Sequence, residues 1–128
     1  MDKFRAWDKV NQVMREVLSI DFINKSIICE TDDERNIKLY DTTYKLMQST
    51  GLRDKDGYNT YESDFVEIRT VRGGYYDSGI IKKKKGFLYI ETKNKSIMLL
   101  SDFYFEVYTD NLELHVVGNM YETALEEL

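Results

Sequence analysis

Residues 65–100 read FVEIRTVRGGYYDSGIIKKKKGFLYIETKNKSIMLL and carry the clearest structural signal in the chain. Short runs of branched and aromatic residues alternate here with Gly73-Gly74, with Gly86 and with the polar segment 93–95. Branched and aromatic runs favour strands, and glycine or polar pairs between them favour hairpin turns. The stretch therefore predicts a succession of short antiparallel strands.

Two further runs extend this pattern towards the C terminus. Residues 103–108 and 112–117 are again rich in aromatic and apolar side chains, and we predict a strand for each. Five or six antiparallel strands within about 55 residues curl most easily into a barrel, because closure removes exposed strand edges. We expect a small SH3-like antiparallel β-barrel, closed or partly open.

The N-terminal part predicts a β-meander. Residues 4–7 suit a first short strand and residues 14–23 a second extended run. The pair Asn24-Lys25 is typical of a tight turn, after which residues 26–29 return as a third strand. Residues 30–36 are almost entirely polar and indicate a solvated loop.

The segment that joins these two parts is less regular. Residues 37–47 fit neither the helical nor the strand period, so a strand and a short helix both remain open. Residues 48–57 carry two glycines and several aspartates, which predicts a structured connection with Gly57 at positive φ. A calcium loop is rejected there, because the alternating oxygen ligands and the glutamate at the twelfth position are missing.

The last nine residues, 120–128, suit a short helix with Asn119 as its N-cap. Tyr121, Leu125 and Leu128 fall on one face of that helix, which either covers the barrel or docks onto a neighbouring subunit. We expect a mainly β (α+β) chain forming one domain. Its parts are the N-terminal strands and loop (1–47), the connection and barrel (48–119) and the terminal helix (120–128).

Composition and charge exclude several classes of function. The chain has 128 residues with 18 basic and 23 acidic side chains, a net charge of −5 that creates no general attraction for phosphate. The longest apolar runs are too short to cross a bilayer. Charged residues occupy the first positions of the sequence, which therefore lacks the apolar stretch of a secretory signal. We therefore expect a cytoplasmic protein with no membrane partner.

The residues that could carry catalysis are few and scattered. Cys29 lies in an apolar run and is interpreted as a small buried hydrophobe rather than a nucleophile. One cysteine and one distant histidine, His115, do not make a zinc site. Glu62 and Asp64 could act as a pair of carboxylates, but without a third ligand we favour capping and turn hydrogen bonds over catalysis. We predict no enzyme activity, no catalytic residue, no metal, no cofactor and no small-molecule substrate.

Concentrated positive charge occurs at Lys82–Lys85, in a predicted hairpin turn next to Phe87, Tyr89 and the pair Tyr75-Tyr76. Lysines beside aromatic rings suit phosphate contacts combined with base stacking. The alternative is a solvated turn whose lysines prevent edge pairing and aggregation. The acidic net charge favours that alternative.

Three segments together resemble the YopX family of bacteriophage and prophage proteins. They are KFRAWD at residues 3–8, LMQSTGLRDKDG with YESDFV at residues 46–57 and 61–66, and VVGNMYE at residues 116–122. The resemblance implies a YopX-like barrel, a phage origin and self-association, and it supplies no catalytic residue. Family members carry glycine where Ser63 stands, so the backbone conformation at Ser63 is left open.

The resulting hypothesis is a non-enzymatic phage or prophage accessory protein that forms a homo-oligomer and acts through protein contacts. The face of Tyr121, Leu125 and Leu128 is the expected oligomer contact. The alternative is a small nucleic-acid-binding regulator that uses Lys82–Lys85 with Tyr75 and Tyr76.

Overall fold

The structure is a computed structural model that describes residues 3–33, 35–94, 96–108 and 111–122, with the backbone alone for 105–108. The chain divides into two compact units, Met1–Gln48 and Ser49–Leu128. The described residues form eleven strands and one helix, and all strand pairs are antiparallel. The predicted mainly β fold is thereby confirmed.

The first unit is a meander built on short turns. Its strands are β1 (Phe4–Asp8), β2 (Val13–Asp21), β3 (Ser26–Cys29), β4 (Ile37–Tyr40) and the first half of β5 (Tyr44–Arg53). Their order in the sheet is β4-β3-β2-β1-β5. The N-terminal meander is therefore confirmed, and the open choice over residues 37–47 resolves in favour of two strands.

Alternation along these strands supplies the core of the first unit. Ala6, Ile27, Cys29 and Leu39 are buried together, and partly buried apolar side chains from β2 and β5 pack around them. On β3, Ile27 and Cys29 face inward whereas Ile28 between them is exposed. A period of two with one face buried is what a half-buried strand requires.

The second unit holds a five-stranded sheet. Its elements are β6 (Asn59–Tyr61), β7 (Asp64–Thr70), β8 (Tyr75–Lys84), β9 (Phe87–Thr92), β10 (Ile97–Leu99), α1 (Leu100–Tyr108) and β11 (Leu112–Asn119). The sheet order is β10-β9-β8-β7-β11, and β6 pairs with the second half of β5. The hairpins predicted from residues 65–100 are all present.

The prediction of a strand over residues 103–108 is wrong, because this segment belongs to helix α1. Phe and Tyr favour strands in general, but Leu100 and Phe103 lie three residues apart and share one helical face. Both are buried in a core with Ile81, Ile90 and Leu114 on the inner face of the sheet. Burial of this apolar pair outweighs the intrinsic strand preference of the aromatic residues.

The five-stranded sheet is open among the described residues. Strands β10 and β11 lie at its two ends and do not pair with each other. The loop after β5 covers one point on the outer edge of β11, where the Lys55 N–H donates to the Leu114 carbonyl at 2.9 Å. The two antiparallel sheets are thus as expected, whereas closure into an SH3-like barrel is not observed in the described part of the chain.

Two connections depend on left-handed backbone conformations. Gly57 has φ +88°, as predicted for the turn after β5. Ser63 has φ +73°, so the positive φ is kept here without glycine. The Ser63 N–H donates to the Ile81 carbonyl at 2.8 Å, and its own carbonyl accepts from Met120 N–H at 2.9 Å. These two backbone bonds hold Ser63 in a conformation that its side chain disfavours.

Candidate functional site

The turn between β8 and β9 determines how the four lysines are displayed. Lys85 and Gly86 have φ of +51° and +84°, the pattern of a two-residue hairpin turn with both central residues left-handed. That turn sets the register Lys84↔Phe87 and Lys82↔Tyr89. Lys82, Lys83 and Lys84 are therefore strand residues, and Lys85 alone of the four lies in the turn.

Alternation divides the five-stranded sheet into the inner face, which carries the core, and the outer face. On β7, Val66 and Ile68 are buried in the core, so Phe65, Glu67 and Arg69 lie on the outer face. Strand β8 buries Ile81, which places Lys82 and Lys84 on the outer face with their cross-strand partners Tyr89 and Phe87. Phe87 is 68% exposed. Cationic and aromatic side chains thus share the end of the outer face nearest the β8–β9 turn.

Ion pairing at this end is uneven. Lys82 Nζ lies 3.0 Å from Glu91 Oε2. Within the part of the chain that the structure describes, no carboxylate pairs with Lys84 or Lys85, and both side chains are exposed. The free positive charge is therefore concentrated at the tip of the hairpin.

The predicted neighbourhood of Lys82–Lys85 and the pair Tyr75-Tyr76 is wrong. Tyr75 pairs with Arg69 at the far end of β8, roughly 30 Å from Lys84 at about 3.3 Å per strand residue. A bulge at Tyr76 separates the two tyrosines. Tyr75 lies on the outer face and donates from its hydroxyl to Ser78 Oγ at 3.1 Å. Tyr76 lines a different surface, next to β10 and α1.

A groove of about 560 Å³ begins beside Tyr75 and extends along the outer face as far as Ile80 and Glu91, short of Lys82 and the β8–β9 turn. Apolar and aromatic side chains alternate in it with charged ones, and it is lined by Phe65, Glu67, Tyr75, Ser78, Ile80, Glu91, Lys93 and Val117. Gly79 forms part of the floor, where a Cβ atom would lie 2.3 Å from the Glu91 carbonyl oxygen. Only glycine allows β8 and β9 to approach this closely.

A second, more polar concavity of about 430 Å³ adjoins the groove. It is lined in part by Asp54, Asp56, Glu67, Arg69 and His115. Arg69 Nη2 lies 2.8 Å from Glu67 Oε1, and His115 Nε2 lies 3.1 Å from Glu113 Oε2. Glu67 is therefore paired with Arg69, and His115 has Glu113 as a polar neighbour.

The carboxylates Glu62 and Asp64 belong to the turn that leads into β7. Asp64 is buried, and its Oδ2 accepts from the Tyr61 N–H at 2.9 Å. Neither residue lines the groove on the outer face or the polar concavity beside it. This geometry supports the turn interpretation of Asp64.

Cys29 lies in the core of the first unit with no exposed surface. Burial raises the pKa of its thiol, an effect that the positive charge of Arg15 only partly opposes. A buried thiol with a raised pKa is a poor nucleophile. The prediction that Cys29 acts as a buried apolar side chain is confirmed.

The first unit contains two turns with the same hydrogen-bond pattern, and the sequence analysis did not recognise that they share it. In each, an aspartate Oδ1 accepts from the N–H groups two and three residues later, and its Oδ2 accepts from an asparagine Nδ2. The first turn starts at Asp8 and the second at Asp21. The signal was present, because DKVNQ at residues 8–12 returns thirteen residues later as DFINK at residues 21–25.

The second of these turns presents two large apolar side chains to solvent. Phe22 is 76% exposed and Ile23 is 91% exposed. Backbone and side-chain hydrogen bonds from Asn24 lower the pKa of Asp21, so the carboxylate that holds the turn is ionised near neutral pH. The hydrogen bonds of this turn therefore fix the backbone that carries Phe22 and Ile23.

The predicted terminal helix lies mostly outside the described residues, as do Leu125 and Leu128. Asn119 Oδ1 accepts from the N–H groups of Tyr121 and Glu122 at 2.9 Å each, and residues 120–122 form a turn, so its role as a helix N-cap stays a prediction. Tyr121 is partly exposed in a turn. The predicted oligomer contact through these residues stays a prediction.

Two kinds of site are absent from the residues that the structure describes. No group of three or more His, Cys, Asp or Glu side chains is placed there to hold a metal ion. No helix among them is long and apolar enough to cross a membrane.

Comparison with known proteins relates the chain to a protein family and to a solved structure. No curated protein matches it. The crystal structure of protein EF1440 from Enterococcus faecalis is similar, with a TM-score of 0.58 and 24% identity over 95% of this chain and 94% of that one. A likeness at this identity supports the fold alone. The family model described as YopX protein matches residues 3–126. The resemblance seen in the three sequence segments is therefore confirmed, and the chain belongs to the YopX family.

Proposed function

We propose that this chain is a non-enzymatic accessory protein of bacteriophage or prophage that self-associates and acts through protein contacts in the host cytoplasm. One observation carries the proposal. The turn that starts at Asp21 holds Phe22 and Ile23 almost fully in solvent on a well-bonded backbone. Two large apolar side chains that a hydrogen-bonded turn exposes to solvent are typical of a contact surface.

The strands beside this turn extend the apolar surface. Leu18 on β2 is 52% exposed, and Tyr40 on β4 is 60% exposed. Ile28 on β3 is also exposed, on the side of the sheet opposite to the core of the first unit. Large exposed apolar patches rimmed by polar residues mark protein-binding sites more often than isolated exposed residues do.

The positions of the candidate catalytic residues support the non-enzymatic part of the proposal. Cys29 has no exposed surface, and His115 lies beside Glu113. Asp64 accepts a hydrogen bond from the backbone of its own turn. Acid–base or nucleophilic catalysis needs such groups to converge on one substrate position.

Light scattering on the purified protein tests self-association. The wild type is expected to have the mass of a defined oligomer, and the double substitution Phe22→Ser/Ile23→Ser is expected to yield monomers. Val10→Ser is the matched control, because Val10 is 72% exposed in the turn that starts at Asp8, which has the same hydrogen bonds. A wild type that is monomeric at high concentration contradicts self-association, and an oligomer unaffected by the double substitution contradicts the role of the turn.

Nucleic-acid binding through Lys82–Lys85 is a second candidate, favoured by one specific observation. The cross-strand pairs Lys84↔Phe87 and Lys82↔Tyr89 place cations and aromatic rings together on the outer face. Fluorescence anisotropy with labelled DNA and RNA tests it at two salt concentrations, because phosphate contacts weaken as salt rises. Absent binding, or binding that is independent of salt, would exclude this candidate.

A further inference from the structure

We infer that the outer face of the five-stranded sheet is a binding site for single-stranded nucleic acid, which runs from Lys84 and Phe87 along the groove to Tyr75. The inference rests on the second candidate function and names its substrate class and its path. It is independent of self-association through the first unit.

The first argument is the common face. Lys84, Lys82 and Ile80 alternate along β8 on the outer side, and Tyr75 lies on the same side beyond Ser78. The sequence analysis placed the lysines and the tyrosines in one cluster, whereas the structure places Tyr75 in the groove and Lys82 and Lys84 beyond its other end, on the same face. An extended strand of nucleic acid could contact both ends at once.

The second argument is the placement of aromatic rings. Tyr75 is 57% exposed and lines the groove, and Phe87 is 68% exposed and lies beyond the groove, at the β8–β9 turn. Phe65 lines the groove between them. Flat exposed rings at intervals along a surface are what successive unpaired bases stack on. Bases in a duplex are already stacked on each other and cannot use such rings.

The third argument is the charge at the rim. The two carboxylates that line the groove, Glu91 and Glu67, are each within 3.0 Å of a cation, Lys82 and Arg69 respectively. Lys84 near one end carries additional positive charge. The two pairs cancel, and among the described residues no carboxylate pairs with Lys84 or with Lys93, which also lines the groove, so this face carries a positive excess although the chain as a whole has a net charge of −5. The overall negative charge limits affinity, so binding is expected to be weak and sensitive to salt.

Fluorescence anisotropy with the full chain and a labelled single-stranded oligonucleotide of about 12 nucleotides tests the inference. Tyr75→Ser should weaken binding about tenfold through loss of stacking. Tyr76→Ser is the matched control, because Tyr76 is 56% exposed against 57% for Tyr75 but does not line the groove. Tyr75→Phe keeps the ring and should retain the affinity, which separates stacking from the loss of the Tyr75–Ser78 hydrogen bond.

Lys84→Glu tests the cationic end of the path in the same assay. It should weaken binding and reduce the slope of log affinity against log salt by about 0.7 for each phosphate that the side chain no longer neutralises. Lys25→Glu makes the same charge change at an exposed position that does not line the groove and should alter affinity much less.

The outcomes separate the inference from the function on which it rests. Binding of a duplex as tightly as a single strand, with Tyr75→Ser equal to Tyr76→Ser, would overturn the single-stranded path while leaving nucleic-acid binding through the lysines. No binding to any oligonucleotide would overturn both. Binding to anionic phosphatidylserine vesicles without binding to oligonucleotides would likewise overturn both and assign the lysines to a lipid surface.

Discussion

The two aspartate turns of the first unit use the same hydrogen bonds in different surroundings. From Asp8, Oδ1 lies 3.1 Å from each of two backbone nitrogens and Oδ2 lies 2.9 Å from Asn11 Nδ2. From Asp21 the corresponding distances are 3.1, 3.0 and 2.8 Å. The fifth residue of each turn is left-handed, with φ of +55° at Gln12 and +52° at Lys25. Locally the two turns are nearly identical.

The difference lies in what surrounds each carboxylate. The Asp8 residue has 0% exposed surface and its Oδ2 also accepts from Arg15 Nε at 2.9 Å, whereas Asp21 is exposed. Burial makes each missing hydrogen bond expensive, because no water replaces the absent partner. The same local motif therefore anchors the sheet at one turn and displays Phe22 and Ile23 at the other.

The largest expected effect is the loss of the buried carboxylate. Asp8→Ala should lower the free energy of unfolding by about 2–4 kcal/mol, because it leaves a part-buried guanidinium and two backbone N–H groups without their acceptor. Asp21→Ala removes the same set of turn bonds in solvent and should cost clearly less. Urea unfolding of both variants at pH 7 measures the difference. Equal losses would show that the turn motif alone, and not its burial, determines the energy.

The pH dependence of stability should separate the same two variants. Burial by itself raises the pKa of Asp8, but hydrogen bonds, first from Asn11 and then from Arg15, outweigh it and hold the pKa below 3.8. A carboxyl whose folded pKa is depressed stabilises the fold above its unfolded pKa, and this contribution is lost as the pH falls through the folded pKa. We therefore expect stability to decline below about pH 4, with a shallower decline in Asp8→Asn.

Thermal unfolding followed by circular dichroism between pH 2 and pH 7 measures this slope. Other carboxylates with lowered pKa, including Asp21, contribute to the decline in wild type and variant alike. A decline of the same steepness in Asp8→Asn would therefore contradict the role assigned to Asp8.

The parts of the fold that the sequence predicted are those with strong local signals. Strand β3 has its predicted bounds after the turn at Asn24-Lys25, and strand β9 begins directly after Gly86, which was expected to separate two strands. Turn chemistry of this kind is encoded within a few residues. The family resemblance came from segments spread along the chain, and it was confirmed over residues 3–126.

The parts that the sequence could not predict depend on distant contacts. Helix α1 contains residues with a strong strand preference, and it is burial of Leu100 and Phe103 on the sheet that favours the helix. The separation of Tyr75 from Tyr76 depends on a bulge against β7, which has no signature in the pair itself. The groove follows from the register of β7, β8 and β9, which hydrophobic alternation alone does not specify.

The smallest expected effect concerns the left-handed residue that ends each turn. A side chain at positive φ is strained by about 1–2 kcal/mol, and glycine relieves this strain while adding backbone entropy to the unfolded chain. Lys25→Gly should therefore raise the free energy of unfolding by about 0.5–1 kcal/mol. Gln12→Gly should raise it less, because Gln12 Nε2 donates to the Lys9 carbonyl at 2.8 Å and that bond would disappear. Urea midpoints at unchanged slope measure both. If Gln12→Gly stabilises as much as Lys25→Gly, the hydrogen bond of the Gln12 side chain contributes nothing and the two turns are equivalent at this position. If both substitutions destabilise the protein, the relief of strain is smaller than the entropy cost of glycine.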